Sequence, residues 1–498
     1  MTSASLDARA RGKVMDALEG ETFDLIVIGG GITGAGVARD AALRGLKVAL
    51  LEARDWASGT SSRSSKMIHG GLRYLAQGDV ALVKEAASER LVLRRIAPHL
   101  ARMSWFVITL PNLGALAKMR AGLWTFEKLG NVPASETHQV WDARELKRRE
   151  PLVKTAGLHG AVAYPEFLTD DARLTLANVR SAQAAGARVL NYLPVTDVLT
   201  EGDQAVGVLA RAAAPGEARE VRVRGRLIVN AAGPWVDAVR ALEDAAAPPR
   251  LSLTKGVHVV VRRERLPVTN TVILRAPDKR GTFAVPHGDY AYIGTTDTFH
   301  KAPDAWPPVT KGDVDYLFAS AEALLETGLL RASDIVSVWS GVRPLVAQPG
   351  KGASEISRKD EVWTGPAGVV SIAGGKLSAY RAMAERIVDQ AVERLGVAGR
   401  ACVTADDPLP TDEAAQGVAG EAERAVLHEG AVRLEDWWAR RSSRALFDEG
   451  GGMTALAPAA DAMGALLGWD AARRAAEISH CEGLRAASLA DLRETASA

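Results

Sequence analysis

Cysteine is nearly missing from this chain, with Cys402 and Cys481 the two among 498 residues. Two thiols cannot build a disulfide framework. Without a CxxC pair or a Cys/His cluster, no metal-ligand pattern exists and no metal is expected. Both cysteines are expected to pack as small hydrophobes, and their scarcity fits a reducing cytoplasm. Net charge is missing too. The 61 lysines and arginines balance 60 aspartates and glutamates, leaving +1. No bulk field therefore draws in nucleic acid, and no nucleic-acid partner is expected. Runs of ~20 apolar residues, enough to span a bilayer, are absent, and residues 1–21 lack the apolar stretch of a signal peptide. The expectation is a cytoplasmic protein, with a seat on a membrane surface left open. The remaining composition, 47% apolar and 24% charged, is that of a globular chain, and its length predicts two or three domains.

What the chain has is glycine in telling places. Residues 23–28 (FDLIVI) read as a buried parallel strand because glycines follow at once. Residues 33–44 have helical spacing, Gly45 ends that helix, and residues 47–52 (KVALLE) form the next strand. Within this βαβ unit, Gly29, Gly31 and Gly34 spell G-x-G-x-x-G, and Glu52 ends the second strand. Each part has a physical reason. Gly29 permits a tight turn, Gly31 lets backbone approach a pyrophosphate, and Gly34 lets helix and strand pack closely. The helix N-terminus offers free N–H groups and partial positive charge to phosphates. Glu52 can accept hydrogen bonds from an adenosine ribose.

That fingerprint serves NAD and FAD equally. Two later segments select FAD. Residues 227–233 (LIVNAAG) are a strand ending in small residues, which lets backbone pass close to a dinucleotide. Residues 369–376 (VVSIAGGK) are a strand, a Gly374-Gly375 turn and a helix start. A helix N-terminus there, with Lys376, would stabilise negative charge on the pyrimidine edge of a reduced flavin.

Elsewhere, residues 80–99 look like a long amphipathic helix and residues 107–129 like an apolar stretch broken by Lys118, Arg120 and Lys128. Residues 170–185 read as a helix. Between residues 251 and 296, β-branched runs alternate with turns, as in a sheet walling a substrate site. Residues 313–327 and 376–395 are expected helices. Residues 406–414 (DDPLPTDEA) read as a linker, followed by a helical tail carrying Trp437 and Trp438.

These features, with residues 60–74 (TSSRSSKMIHGGLRY), resemble the FAD-dependent glycerol-3-phosphate dehydrogenases, within the glycine- and D-amino-acid-oxidase-like flavoproteins. The resemblance runs from about residue 23 to 395 and includes Lys255-Gly256-Val257-His258, Ile293-Gly294-Thr295-Thr296-Asp297 and Ser340-Gly341-Val342-Arg343-Pro344. It implies an α/β fold: a Rossmann-like FAD-binding domain interleaved with a mixed-sheet substrate domain over residues 20–400, then a C-terminal helical domain over 401–498. It also implies cofactor contacts from Ile32, Thr33, Ala53, Val195, Ala232, Gly233, Gly374, Gly375, Lys376 and Leu377. The segment Thr60, Ser61, Ser64, Lys66, Met67, His69, Gly70 and Gly71 would wrap the flavin side. Arg73, Tyr74, His258, Arg343, Arg358 and Lys376 would line the substrate pocket.

The reaction so implied is oxidation of sn-glycerol 3-phosphate to dihydroxyacetone phosphate, which needs a proton taken from the hydroxyl and a hydride moved from C2 to flavin N5. A phosphate clamp should be arginine, because a guanidinium grips phosphate with two parallel hydrogen bonds. Arg343, stiffened by Pro344, and Arg358 are the first choices, with Arg73 helping. For the base, His258 is favoured because its ordinary pKa of ~6.5 lies close to working pH. A structural histidine bonded within the sheet is its alternative, His69 its rival, and Lys376 could lower the hydroxyl's pKa. Relatives of the respiratory kind pass electrons to a membrane quinone. Residues 113–129, with leucines, Met119, Trp124 and Phe126 among basic residues, suit either a lipid interface or a core-facing helix. The other readings are an oxidase that uses oxygen, an enzyme for an amine or 2-hydroxy acid, and a non-catalytic flavoprotein that senses redox state or binds a partner. The oligomeric state is left open, a homodimer being one outcome.

Overall fold

The computed structural model describes residues 5–70, 80–348, 350–353, 355–398, 400–412 and 414–493. Two sheets organise them. The first runs in the order Glu361–Thr364, Val370–Ala373, Glu220–Asn230, Thr22–Ile28, Val48–Leu51, Arg188–Leu190. Along that order the pairings are parallel except that of Glu361–Thr364, and Gln204–Arg211 joins Glu220–Asn230 antiparallel off the path. Thr22–Ile28 sits centrally, buried along most of its length, as its unbroken apolar run predicts. Behind this sheet pack the helices Ile32–Leu43, Asp171–Ala184 and Tyr380–Leu395, through Val37, Leu176, Val179, Ile387 and Val388. The hairpin of Val195–Glu201 and Gln204–Arg211 and the helix Arg11–Gly20 close its other face.

The turn after Thr22–Ile28 is steric necessity. Gly29 has φ +110°, and a Cβ on it would stand 2.6 Å from the Ala231 carbonyl oxygen. A Cβ on Gly34 would stand 1.9 Å from the Gly29 oxygen. Strand, turn and helix therefore close together only with glycine at both positions.

The second sheet carries Thr298–Phe299, Leu251–Arg262, Tyr290–Gly294, Gly281–His287, Thr271–Arg275, Arg102–Leu110, Gly160–Leu168 and Met67–Ile68 in that order. Ile335–Val346 adds to Leu251–Arg262 along twelve residues, and Gln139–Asp142 to Gly160–Leu168. The helix Lys311–Leu324, opened by a Thr310/Asp313 capping box, covers one face. The other face looks toward the first sheet and the C-terminal helices, where Tyr292 and Trp339 meet Trp437, Trp438 and Leu456.

Several elements differ from expectation. The stretch 107–129 is two elements, a strand Arg102–Leu110 and a helix Leu113–Leu129. Pro111 breaks the run, and the Asn112 side chain accepts from the Ala115 N–H to start the helix. Strand 227–231 begins earlier, as Glu220–Asn230, because its first half alternates exposed arginines with buried valines. Arg343 lies within the strand Ile335–Val346, where a loop was expected. The helix placed at 376–395 opens with a 3-10 turn, Leu377–Ala379, and becomes α-helical at Tyr380. Cys481 is buried as expected, while Cys402 is half-buried with Thr404 Oγ1 at 3.1 Å.

Buried ion pairs fasten the C-terminal helices to the rest. Arg440 Nε donates to Asp55 at 2.6 Å and Arg441 Nη2 at 2.8 Å, both from the π-helical turn Asp436–Arg441. Arg173 grips Glu429 with two bonds of 2.9 and 2.8 Å. Among the described residues no helix is long and apolar enough to cross a membrane.

Candidate active site

A cavity of about 1850 Å³ runs between the two sheets. At one end it meets the glycine turn, with Gly29, Gly31, Ile32 and Thr33 in its wall and Glu52 and Ala53 beside them. The Glu52 carboxylate accepts the N–H groups of Gly30 at 2.6 Å and Arg54 at 2.8 Å. Burial raises its carboxyl above the usual range, against the pull of those two bonds. Ser61 Oγ accepts the Ile32 N–H at 2.9 Å, which ties the loop over residues 60–69 to the helix start. Val195, Ala232 and Gly233 continue the wall, and Gly374, Gly375, Lys376 and Leu377 join it further along.

Not every expected cofactor residue faces this space. Thr60, Ser61, Ser64, Met67 and His69 line it. Lys66 is buried and turned to Asp171, its Nζ 2.6 Å from the carboxylate, so it stands as a structural cation rather than a cavity residue. Gly34 packs on the turn, and Gly70 gives its N–H to Glu166 at 3.0 Å; neither belongs to the wall. Gly71, Arg73 and Tyr74 lie outside the described residues. Arg54 and Trp235, not expected from sequence, also form wall, the guanidinium lying 4.7 Å from the indole centroid.

At the far end stands His258. In the strand Leu251–Arg262 it is flanked in register by Gly294 and Trp339. Its ring stacks on Trp339 with centroids 4.5 Å apart and planes 9° from parallel. A Cβ on Gly294 would fall 2.0 Å from its Cδ2, so glycine makes the ring's place. Nε2 lies 2.8 Å from Ser65 Oγ. Burial, then the cations Arg343 and Lys66, hold its pKa well below the ordinary 6.5. The imidazole is therefore neutral at working pH, the form a base requires.

Beside it, three guanidiniums converge on one carboxylate. Arg343 donates to Asp297 Oδ1 at 3.1 Å, to Thr295 Oγ1 at 2.9 Å and to the Thr296 carbonyl at 3.2 Å. Arg358 donates to Asp297 Oδ2 at 3.2 Å, and Arg280 stands 3.7 Å from the same oxygen. The Asp297 side chain is only 2% exposed. Among the described residues, three guanidiniums gather on one buried carboxylate at the cavity wall, a donor-rich face suited to an anionic substrate. Sequence reasoning found Arg343 and Arg358 but gave Arg280 and Asp297 no role. Their signal was present, in the basic pair Lys279-Arg280 and the last residue of the block ending at Asp297. Apolar Phe106, Ile108, Tyr164, Ile273 and Phe283 complete this end, and the helix Leu113–Leu129 brings Lys118, Met119 and Thr125 to the cavity wall.

A long cleft opening on a glycine turn suits a dinucleotide, and its far end, lined by aromatic side chains, a buried histidine and an arginine cluster, suits a small anionic substrate. Fold and site together define a flavin-dependent oxidoreductase. Comparison with known proteins agrees. Residues 24–381 match the family model described as FAD dependent oxidoreductase, and residues 378–474 that of the C-terminal domain of alpha-glycerophosphate oxidase. An aerobic glycerol-3-phosphate dehydrogenase of Bacillus subtilis is 41% identical over 82% of this chain and 74% of its own. That of Staphylococcus haemolyticus is 42% identical over 76% of this chain and 68% of its own. The crystal structure of the glycerol-3-phosphate dehydrogenase from Bacillus halodurans, complexed with FAD, superposes with a TM-score of 0.81 at 29% identity, covering 98% of this chain and 99% of that one. The chain belongs to the FAD-dependent oxidoreductases and, within them, to the aerobic glycerol-3-phosphate dehydrogenases.

Proposed function

We propose that this enzyme oxidises sn-glycerol 3-phosphate to dihydroxyacetone phosphate and passes the electrons to a membrane quinone. The observation that carries the reading is the Arg280, Arg343 and Arg358 cluster on Asp297 beside a neutral His258. Arg343 and Arg358 hold the phosphate by charge-assisted hydrogen bonds. His258 draws the proton from the C2 hydroxyl, while the Lys376 cation favours the negative charge that develops there. Bound FAD supplies the acceptor for the hydride leaving C2. Gly29, Gly31 and the N-terminus of the helix Ile32–Leu43, beyond the Ile32 N–H that Ser61 takes, would hold its pyrophosphate, and Glu52 its ribose. Residues 60–69 and the turn from Gly374 to Leu377 hold its ring.

Contact with a membrane falls to the helix Leu113–Leu129. Leu113 is 66% and Trp124 59% exposed, with Arg120 and Lys128 on the same helix. Apolar anchors among cations match an anionic lipid surface.

The test is anaerobic reduction of the bound flavin, followed by its absorption. Bleaching by glycerol 3-phosphate, and not by glycerol or a 2-hydroxy acid, is expected. Recovery of colour with a quinone supports the acceptor; recovery with oxygen alone would make the protein an oxidase. Bleaching by an amine or hydroxy acid instead would sink the substrate assignment.

A further inference from the structure

The hydrogen bond between Ser65 and His258 joins residues 193 apart in the chain. Its geometry is held from several sides. The Ser64 N–H and Oγ donate to Asp171 at 2.9 and 2.7 Å. Trp339 Nε1 donates to the Ser64 carbonyl at 3.1 Å, and the Tyr292 hydroxyl to the Ser65 carbonyl at 3.0 Å. Lys66 then turns the chain with φ +54°, a left-handed conformation that a side chain adopts only under constraint, here the ion pair to Asp171. The backbone on both sides of Ser65 is thus pinned, while its hydroxyl is left to His258.

Among the described residues the ring has no other polar outlet. His258 is 1% exposed, stacked on Trp339, and its Nδ1 has no hydrogen-bond partner among the described residues. Proton traffic at the imidazole therefore passes through Nε2, and Ser65 Oγ occupies that position. Both residues line the cavity. A hydroxyl can donate to one neighbour while accepting from another, and rotates between them.

We propose that Ser65 is a catalytic residue, the proton carrier between the substrate's C2 hydroxyl and His258. The inference rests on the glycerol 3-phosphate reading above. In the step, the C2 O–H bond breaks and its proton binds Ser65 Oγ. The proton that Ser65 held passes to His258 Nε2, whose lone pair forms the new N–H bond. The C2 hydride leaves to the bound flavin, and the electron pair of the broken O–H bond becomes the second bond of the ketone. Atoms and electrons balance, with FAD the oxidant. Burial and the cations Arg343 and Lys66 favour the neutral ring, and the relay uses its tautomer with the proton on Nδ1 and the lone pair on Nε2.

The test is the anaerobic rate of flavin reduction by glycerol 3-phosphate in the full-length holoenzyme, taken per bound flavin. For Ser65→Ala, the rate at saturating substrate is expected to fall roughly 100-fold or more, the usual weight of general base catalysis, with substrate affinity little changed. Ser65→Thr, which keeps a hydroxyl, is expected to recover most of the rate. The Ser65→Ala/His258→Ala double variant is expected to be no slower than His258→Ala, because members of one relay do not add. A Ser65→Ala rate close to that of the parent, or losses that multiply in the double variant, overturns the relay and leaves the substrate assignment standing. A parent flavin that glycerol 3-phosphate does not reduce overturns the substrate assignment, and the relay with it.

Discussion

At the scale of single residues, Asp297 explains how three arginines can share one wall. Guanidiniums placed side by side repel, and a buried carboxylate between them fixes their directions. Replacing Arg343 with alanine removes one arm of the clamp. KM for glycerol 3-phosphate is expected to rise about 30- to 100-fold, matching charge-assisted bonds of roughly 2–3 kcal/mol. FAD should stay bound, and an unchanged KM would remove Arg343 from the clamp. Asp297→Asn keeps the shape and loses the charge. It is expected to weaken substrate affinity with the flavin spectrum unaltered; tighter binding in this variant would count against the anchoring role. Lys66 carries the opposite lesson. It stands inside a segment that resembles cofactor-binding sequence, yet its charge is spent on Asp171 and on shaping the loop.

Among elements, the helix Leu113–Leu129 has two sides that one apolar stretch concealed. Its inner side reaches the cavity through Met119 and Thr125, and Leu123 and Phe126 are buried. Its outer side shows Leu113 and Trp124 to solvent. Trp124→Glu puts a negative charge where an anionic lipid surface would lie. Sedimentation with vesicles containing phosphatidylglycerol is expected to drop severalfold, with flavin reduction by glycerol 3-phosphate unchanged. Equal sedimentation of parent and variant would move the membrane contact elsewhere. The strands show how pattern decides legibility. Thr22–Ile28 is buried on both faces and reads as a continuous apolar run. The first half of Glu220–Asn230 alternates exposed and buried residues amid arginines and passes for loop. Ile335–Val346 contains Gly341 and Pro344, which argue for a turn, yet it pairs with Leu251–Arg262 along its whole length.

For the molecule as a whole, the C-terminal helices act on the cofactor end through Asp55, three residues beyond Glu52. Removing the Arg441 side chain leaves that buried carboxylate short of a partner, a change that typically costs ~3–5 kcal/mol. Arg441→Ala is expected to melt at lower temperature and release FAD more readily. A variant that melts earlier but holds FAD as tightly would confine the ion pair to stability. Acid sensitivity also belongs at this scale. His287, stacked on Phe447 with ring centroids 3.8 Å apart, has its pKa lowered to about 4, chiefly by burial. Its folded value lies below the ordinary 6.5, so as pH falls the unfolded chain takes up a proton that the folded chain refuses. Its contribution to stability is lost progressively as pH drops from about 6.5 toward 4. His287→Phe is expected to lose less melting temperature between pH 7 and pH 5 than the parent; an equal loss would acquit His287.

The sequence by itself determined the glycine turn, the acid at the end of the second strand, the late Gly374-Gly375 turn and the family likeness. The two turns depend on positive φ at Gly29, Gly374 and Gly375, a local backbone constraint that leaves its mark on residue type. The sequence also put His258, Arg343 and Arg358 in one pocket, through resemblance rather than spacing. Only the tertiary structure decided that Arg280 and Arg358 meet at Asp297, that Lys66 turns to Asp171, and that Ser65 reaches His258. Those meetings depend on strand register and on the placement of one sheet against the other. A shift of one residue along a strand sends every side chain to the opposite face, and no local pattern records which partner then waits there.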